Sequence, residues 1–278
     1  MATGIILEVV AVSLVVSSVA TVVRSPKGRL RALLPLLFST LVACNSTRGA
    51  SPNPGTAASL KPPVMVIGFV GGFISHDNLA HGGVQLAARL RKDYPSGVYV
   101  RVFENHHGED AHREILRLLD TNHDGKLSEE EKQRARIIIY GHSWGGSETV
   151  ALAKALKRDR IPVLLTIQVD SVAKIGEDDS VIPSNVAQAV NFYQANGIIH
   201  GRPQIRAADL ARTEIIGNYR FDYRSHPLKC QGYPWYAYVF ENPHVAIECD
   251  PKVLSRIESL IRSKLPAETK TNASATRS

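Results

Sequence analysis

The chain has 278 residues, 44% of them hydrophobic and 21% charged, the proportions of a globular protein with room for one sizeable core and short appendages. Its formal charge of +7 gathers at the start: residues 1–43 hold Arg24, Lys27, Arg29 and Arg31 against Glu8, so the remainder carries only +4. So mild an excess, with no Lys/Arg stripe interleaved with aromatics, argues against nucleic acid as a partner.

Residues 4–23, GIILEVVAVSLVVSSVATVV, are apolar apart from Glu8 and long enough to cross a bilayer as a helix. The pattern then begins again. A basic stretch from Arg24 to Arg31 leads into the apolar run ALLPLLFST, and LVAC at 41–44 resembles a bacterial lipobox. That resemblance implies cleavage before Cys44, diacylation of this cysteine and an extracytoplasmic protein held in the bacterial cell envelope by its acyl chains. Asn45, next in the chain, favours the outer membrane in such a reading. An ordinary buried thiol is the plainer alternative for Cys44. The second segment is complete without the first, which leaves residues 1–23 as either a transmembrane helix or a stretch upstream of a true start near Val22 or Val23. Residues 44–62 are rich in Gly, Pro and Ser and read as a flexible tether, and 266–278 as a tail of the same character. The folded domain lies between them, at 63–265.

Within it, strand and helix patterns alternate. VMVIGF (64–69) reads as a buried strand, NLAHGGVQLAARLRKD (78–93) as an amphipathic helix and GVYVRVFE (97–104) as a strand. AHREILRLLD is helical, RIIIYG a strand, SETVALAKALKR a helix and IPVLLTIQVD a strand apolar enough to be covered on both faces. PSNVAQAVNFYQANG (183–197) and PKVLSRIESLIRSKL (251–265) read as two further helices. Such alternation predicts an α/β domain with a mostly parallel, doubly wound sheet.

Between RIIIYG and the following helix stands Gly141-His142-Ser143-Trp144-Gly145, a G-x-S-x-G motif in the strand-to-helix setting that it requires. On this elbow the chain resembles the α/β-hydrolase superfamily, of the lipase and esterase kind, over about residues 63–265. The resemblance implies a serine nucleophile at Ser143, followed in chain order by an acid and a histidine. Asp170 ends the next strand and His244 precedes the final helix, so these two complete the implied triad; Asp209 and Asp222 remain alternatives for the acid, and His226 and His200 for the base. The same resemblance places two N–H donors for the oxyanion at Trp144 and, in GFVGG (68–72), at Phe69 with Val70 behind it. His142 would shape the pocket.

Just upstream, DTNHDGKLSEEE (120–131) follows the twelve-residue calcium loop of an EF-hand. Asp120, Asn122, Asp124, the Lys126 carbonyl, Ser128 and Glu131 fall at positions 1, 3, 5, 7, 9 and 12, with Gly125 at 6 and Leu127 at 8. A helix precedes this loop and the short segment EEEKQRAR follows it, so a structural Ca²⁺ is the cofactor expected, and no organic one. With Cys44 lipidated, Cys230 and Cys249 are the only possible intramolecular disulfide, suited to an oxidising compartment. Together these readings describe a membrane-anchored serine hydrolase acting on lipophilic carboxylic esters. A noncatalytic binding lipoprotein of the same fold is the alternative.

Overall fold

The computed structural model describes residues 61–233 and 242–267. A six-stranded sheet runs through the domain in the order β2-β1-β3-β4-β6-β8, and every pairing in it is parallel. Its strands are β1 (Val64–Val70), β2 (Val98–Glu104), β3 (Ile137–His142), β4 (Val163–Val169), β6 (Val186–Gln194) and β8 (Glu214–Phe221). Two short strands, β5 (Val181–Ile182) and β7 (Arg206–Ala207), pair with each other apart from it.

Alternation along β1 explains the layers. Val64, Val66 and Val70 join one core with α1 (Gly82–Asp93), α5 (Asn242–Cys249) and α6 (Pro251–Arg262). Met65, Ile67 and Phe69 join a second core with α2 (Gly108–Leu119) and α4 (Trp144–Arg158). Side chains of a strand point to opposite faces in turn, so a strand apolar at every position needs helices on both sides. The doubly wound α/β architecture expected of an α/β-hydrolase is therefore present. β1 hands the chain outward to β2, and the next strand, β3, lies on the other side of β1. Winding reverses between β1 and β3, which opens a crevice at their carboxyl ends, the place where doubly wound sheets bind ligands.

Two segments depart from the sequence reading. PSNVAQAVNFYQANG, read as a helix, contains β6, which pairs with β4 on one side and β8 on the other. The Val-Ala-Val-Phe spacing suits either period, and Ala and Gln tilt it towards helix, but Val186, Ala189, Val190 and Phe192 are all fully buried between neighbouring strands. Tertiary burial overrides a weak local preference. β8, at the sheet edge, was assigned no element.

Cys230 and Cys249 form a disulfide with a Cα separation of 5.7 Å, as their isolation in the sequence implies. It ties the end of α5 to the segment that follows β8. Closing a loop with a sequence separation of 19 removes chain entropy from the unfolded state. Cys230→Ser should accordingly lower stability by about 3 kcal/mol in urea unfolding; an unchanged midpoint would mean that the bridge constrains nothing.

Candidate active site

Ser143 occupies the tight turn between β3 and α4 with φ 57° and ψ −126°, a left-handed conformation that a residue with a side chain rarely adopts. The surroundings hold it there. Its N–H donates to the Val169 carbonyl at 3.0 Å, and its own carbonyl accepts from Gly146 and Val172 at 2.9 and 3.2 Å. The flanking glycines are needed for close approach: a Cβ on Gly141 would collide with the Gly145 backbone, and one on Gly145 with the Phe69 carbonyl. Helix α4 begins at Trp144, so the N–H groups of Trp144 and Gly145 have no acceptor within the helix.

His244 and Asp170 meet this serine from two other elements. His244, near the start of α5, places Nε2 2.9 Å from Ser143 Oγ and Nδ1 2.7 Å from Asp170 Oδ2. With Nδ1–H donated to the carboxylate, Nε2 is left as an acceptor for the serine proton. Asp170 leaves the end of β4 with φ 43° and is fully buried. Such a charge must be satisfied by donors. Gln194 supplies its N–H to Oδ1 (3.1 Å) and its amide to Oδ2 (2.7 Å), and the Gly201 N–H donates to Oδ1 at 2.7 Å. Burial, the largest influence, pushes this carboxyl up, but His244 and Gln194 outweigh it and hold it below the ordinary aspartate value. The group is thus kept ionised.

The other candidates lie elsewhere. Asp209 and Asp222 bond to the backbone N–H groups of Ala211 and Arg224 in their own turns. His226 and His200 are exposed. Phe69 is not in the loop after β1; it lies within the strand, paired with both Phe103 and Gly141, so its amide belongs to the ladder and Phe69 is not the oxyanion donor. Val70 also ends the strand, paired with Glu104. The segment beside the serine starts at Gly71, where a Cβ would lie 2.7 Å from Ser143 Cβ. Its turn closes through Ile74 N–H to the Gly71 carbonyl, and Asn105 holds the Gly72 carbonyl. Exposed Phe73 then stands edge-on to Trp144 at 5.9 Å, beside the nucleophile turn.

In the loop 120–131, Asp120 accepts from the Asp124 and Gly125 amides and Asp124 from Lys126. Glu131 spans the loop, one oxygen accepting from Thr121 and the other from Ser128, which caps α3 (Glu129–Gln133). Leu127 packs into the core that contains α2 and β3. No three His, Cys, Asp or Glu side chains converge as a metal site among the described residues. Residues 1–23, Cys44 and the tether as far as residue 60 lie outside the described residues.

No family model and no curated protein matches the chain. Solved structures similar to it include an arylesterase (12% identity, TM-score 0.27), where the likeness covers 41% of this chain and only 38% of the arylesterase. Human thioesterase 2 is similar at 12% identity over 75% of this chain and 98% of that one, with a TM-score of 0.37. An acetyl xylan esterase in an iodinated complex is similar at 13% identity over 73% and 99%, with a TM-score of 0.35.

Sequence reasoning did not find Gln194, Gly201, His81, Tyr233 or Glu248. The last three form a largely buried group beside His142: Glu248 accepts from His81 Nδ1 at 3.0 Å and from the hydroxyl of half-buried Tyr233. A carboxylate four residues after the candidate histidine, on one helical face, was the only available signal. Burial opposes its charge most strongly, but His142, His81 and Tyr233 together lower the Glu248 carboxyl from 4.5 to about 2. A depressed acid stabilises the fold above its unfolded value and loses that contribution as pH falls through the folded one. Between pH 4.5 and about 2 the protein should therefore lose stability, and less steeply in Glu248→Gln. Equal slopes in pH-dependent urea unfolding would contradict this.

Proposed function

We propose that this protein is a serine hydrolase that cleaves carboxylic esters, with Ser143 as nucleophile, His244 as general base and acid, and Asp170 as the group that orients His244. The observation that carries the reading is the hydrogen-bonded chain from Ser143 Oγ through both nitrogens of His244 to a buried carboxylate. In this mechanism Oγ attacks the acyl carbon while its proton passes to His244 Nε2, and Asp170 stabilises the imidazolium through Nδ1–H. The oxyanion accepts from the Trp144 N–H and, in place of Phe69, from an N–H of the turn 71–74. Collapse breaks the ester C–O bond, His244 returns its proton to the departing alcohol, and an acyl-serine remains. Water then attacks, losing its proton to His244, and the acid and free serine are released.

Lipophilic esters are the proposed substrate class, since exposed Phe73 and Trp144 offer apolar surface beside Ser143. With Cys44 read as a lipidation site, the enzyme would work at the bacterial envelope, held there by its acyl chains. Mass spectrometry of the mature N-terminus tests this: a chain that still carries residues before Cys44 contradicts it.

A fluorophosphonate probe should label Ser143 and no other serine. Ser143→Ala and His244→Ala should each lower kcat by about four orders of magnitude or more, and the two losses should not add. Asp170→Asn should fold yet lose about 10⁴ in kcat through the wrong histidine tautomer. A folded parent that resists the probe would sink the hydrolase reading.

We also propose that the loop 120–131 takes Ca²⁺ through Asp120, Asn122, Asp124, the Lys126 carbonyl, Ser128 and Glu131. Hard oxygen donors in this order suit that ion. Binding would require Glu131 to exchange its contacts with Thr121 and Ser128 for the metal. Calcium at a hundredfold excess over Kd should then raise stability by about 2.7 kcal/mol. Glu131→Gln should abolish this rise and leave the esterase rate below Tm nearly unchanged. Stability indifferent to calcium would make the loop an acidic turn alone.

A further inference from the structure

His142 has no part in the proposed chemistry, yet it is pressed between His244 and Glu248. Its ring lies 4.5 Å from that of His244, at an interplanar angle of 35°. Its Nε2 is 3.0 Å from the His244 carbonyl oxygen, and its Nδ1 is 3.5 Å from Glu248 Oε2. A carbonyl oxygen only accepts, so Nε2 must carry the proton. In a neutral ring Nδ1 is then a second acceptor, buried without a hydrogen-bond partner among the described residues and facing a carboxylate.

Two arrangements relieve that confrontation. A proton on Nδ1 would make an imidazolium, but burial, the largest influence, holds His142 down to about 4 against the attraction of Glu248. Positive charge there would also lie face to face with His244 just when His244 takes up its own proton. The second arrangement uses space. A cavity of about 20 Å³ opens against both His142 and Glu248, walled elsewhere by Gly83, Leu86, Tyr140 and Ile257. That is room for one water. Its two hydrogens can serve Nδ1 and the carboxylate together. Glu248 is fixed from behind by His81 and Tyr233.

We propose that His142 is a positioning residue, locked as the neutral Nε2–H tautomer by a buried water and Glu248, and that it holds the main chain of His244 in place for Ser143. Its effect on turnover rests on the hydrolase reading; the tautomer rests on the contacts and the burial of His142. The relay approaches His244 through its backbone, whereas Asp170 acts on the ring.

Nitrogen-15 NMR of the histidine side chains in the full chain tests the tautomer, with the His142 signals assigned by their loss in His142→Gln. The expected result is a neutral Nε2–H ring that does not titrate between about pH 5 and 8. A proton on Nδ1 in that range overturns the proposal, whatever the activity of the protein. In turnover, His142→Phe keeps a ring and loses the donor; kcat should fall roughly ten- to hundredfold with KM within about twofold. His142→Gln, whose amide still donates, should recover part of that loss. Full kcat in His142→Phe also overturns the proposal, and the parent NMR result still decides if that variant fails to fold. Failure of the hydrolase reading has a separate signature, a folded parent that fluorophosphonate does not label at Ser143.

Discussion

A carboxylate with no access to water governs the carboxyl edge of this sheet. Asp170 can stay ionised at zero exposure only because four contacts converge on its two oxygens: two from Gln194, one from Gly201 and one from His244. Together the contacts fasten three pieces of chain to the end of β4. Gln194 brings the end of β6, Gly201 the loop beyond it, and His244 the start of α5. Removing any one would leave part of a buried charge unsatisfied, a penalty larger than an average hydrogen bond contributes. Satisfying the charge and assembling the candidate site are thus one requirement.

The serine meets this arrangement from the end of the adjacent strand, β3. Strained turns persist where neighbouring structure over-determines them, and here Val169 and Val172, on either side of Asp170, hold the Ser143 backbone. The strand that leads to Asp170 therefore also braces the Ser143 turn. On the far side, Gly71 admits the serine at a distance where any side chain would clash. Nothing about the serine's position is independent of β1 or β4.

Much of this was legible in the sequence because the relevant signals are local. The elbow needs particular glycines at particular spacings, and the neighbouring strand and helix patterns are strong. The order of Ser143, Asp170 and His244 is what the resemblance to the α/β-hydrolases implies, and the ends of the strand and helix patterns supply the candidates for it. The pairing of Cys230 with Cys249 was legible once Cys44 was read as a lipidation site. What failed depended on neighbours distant in the chain. β6 is a strand because β4 and β8 flank it, and no spacing within PSNVAQAVNFYQANG reports that. The misassignment hid Gln194, since only a strand there reaches Asp170. GFVGG leaves the end of β1 open for a similar reason: the strand runs through Val70, and that limit is set by where β2 and β3 stop pairing with it.

The histidine that completes the chain of hydrogen bonds lies 101 residues after the serine and 74 after the aspartate. Contacts so far apart close late, after the entropy of long loops has been overcome. The Ser143 turn and the end of β4 can form from neighbouring strands before α5 docks. The contact from Ser143 to His244 therefore reports that nearly the whole domain has assembled.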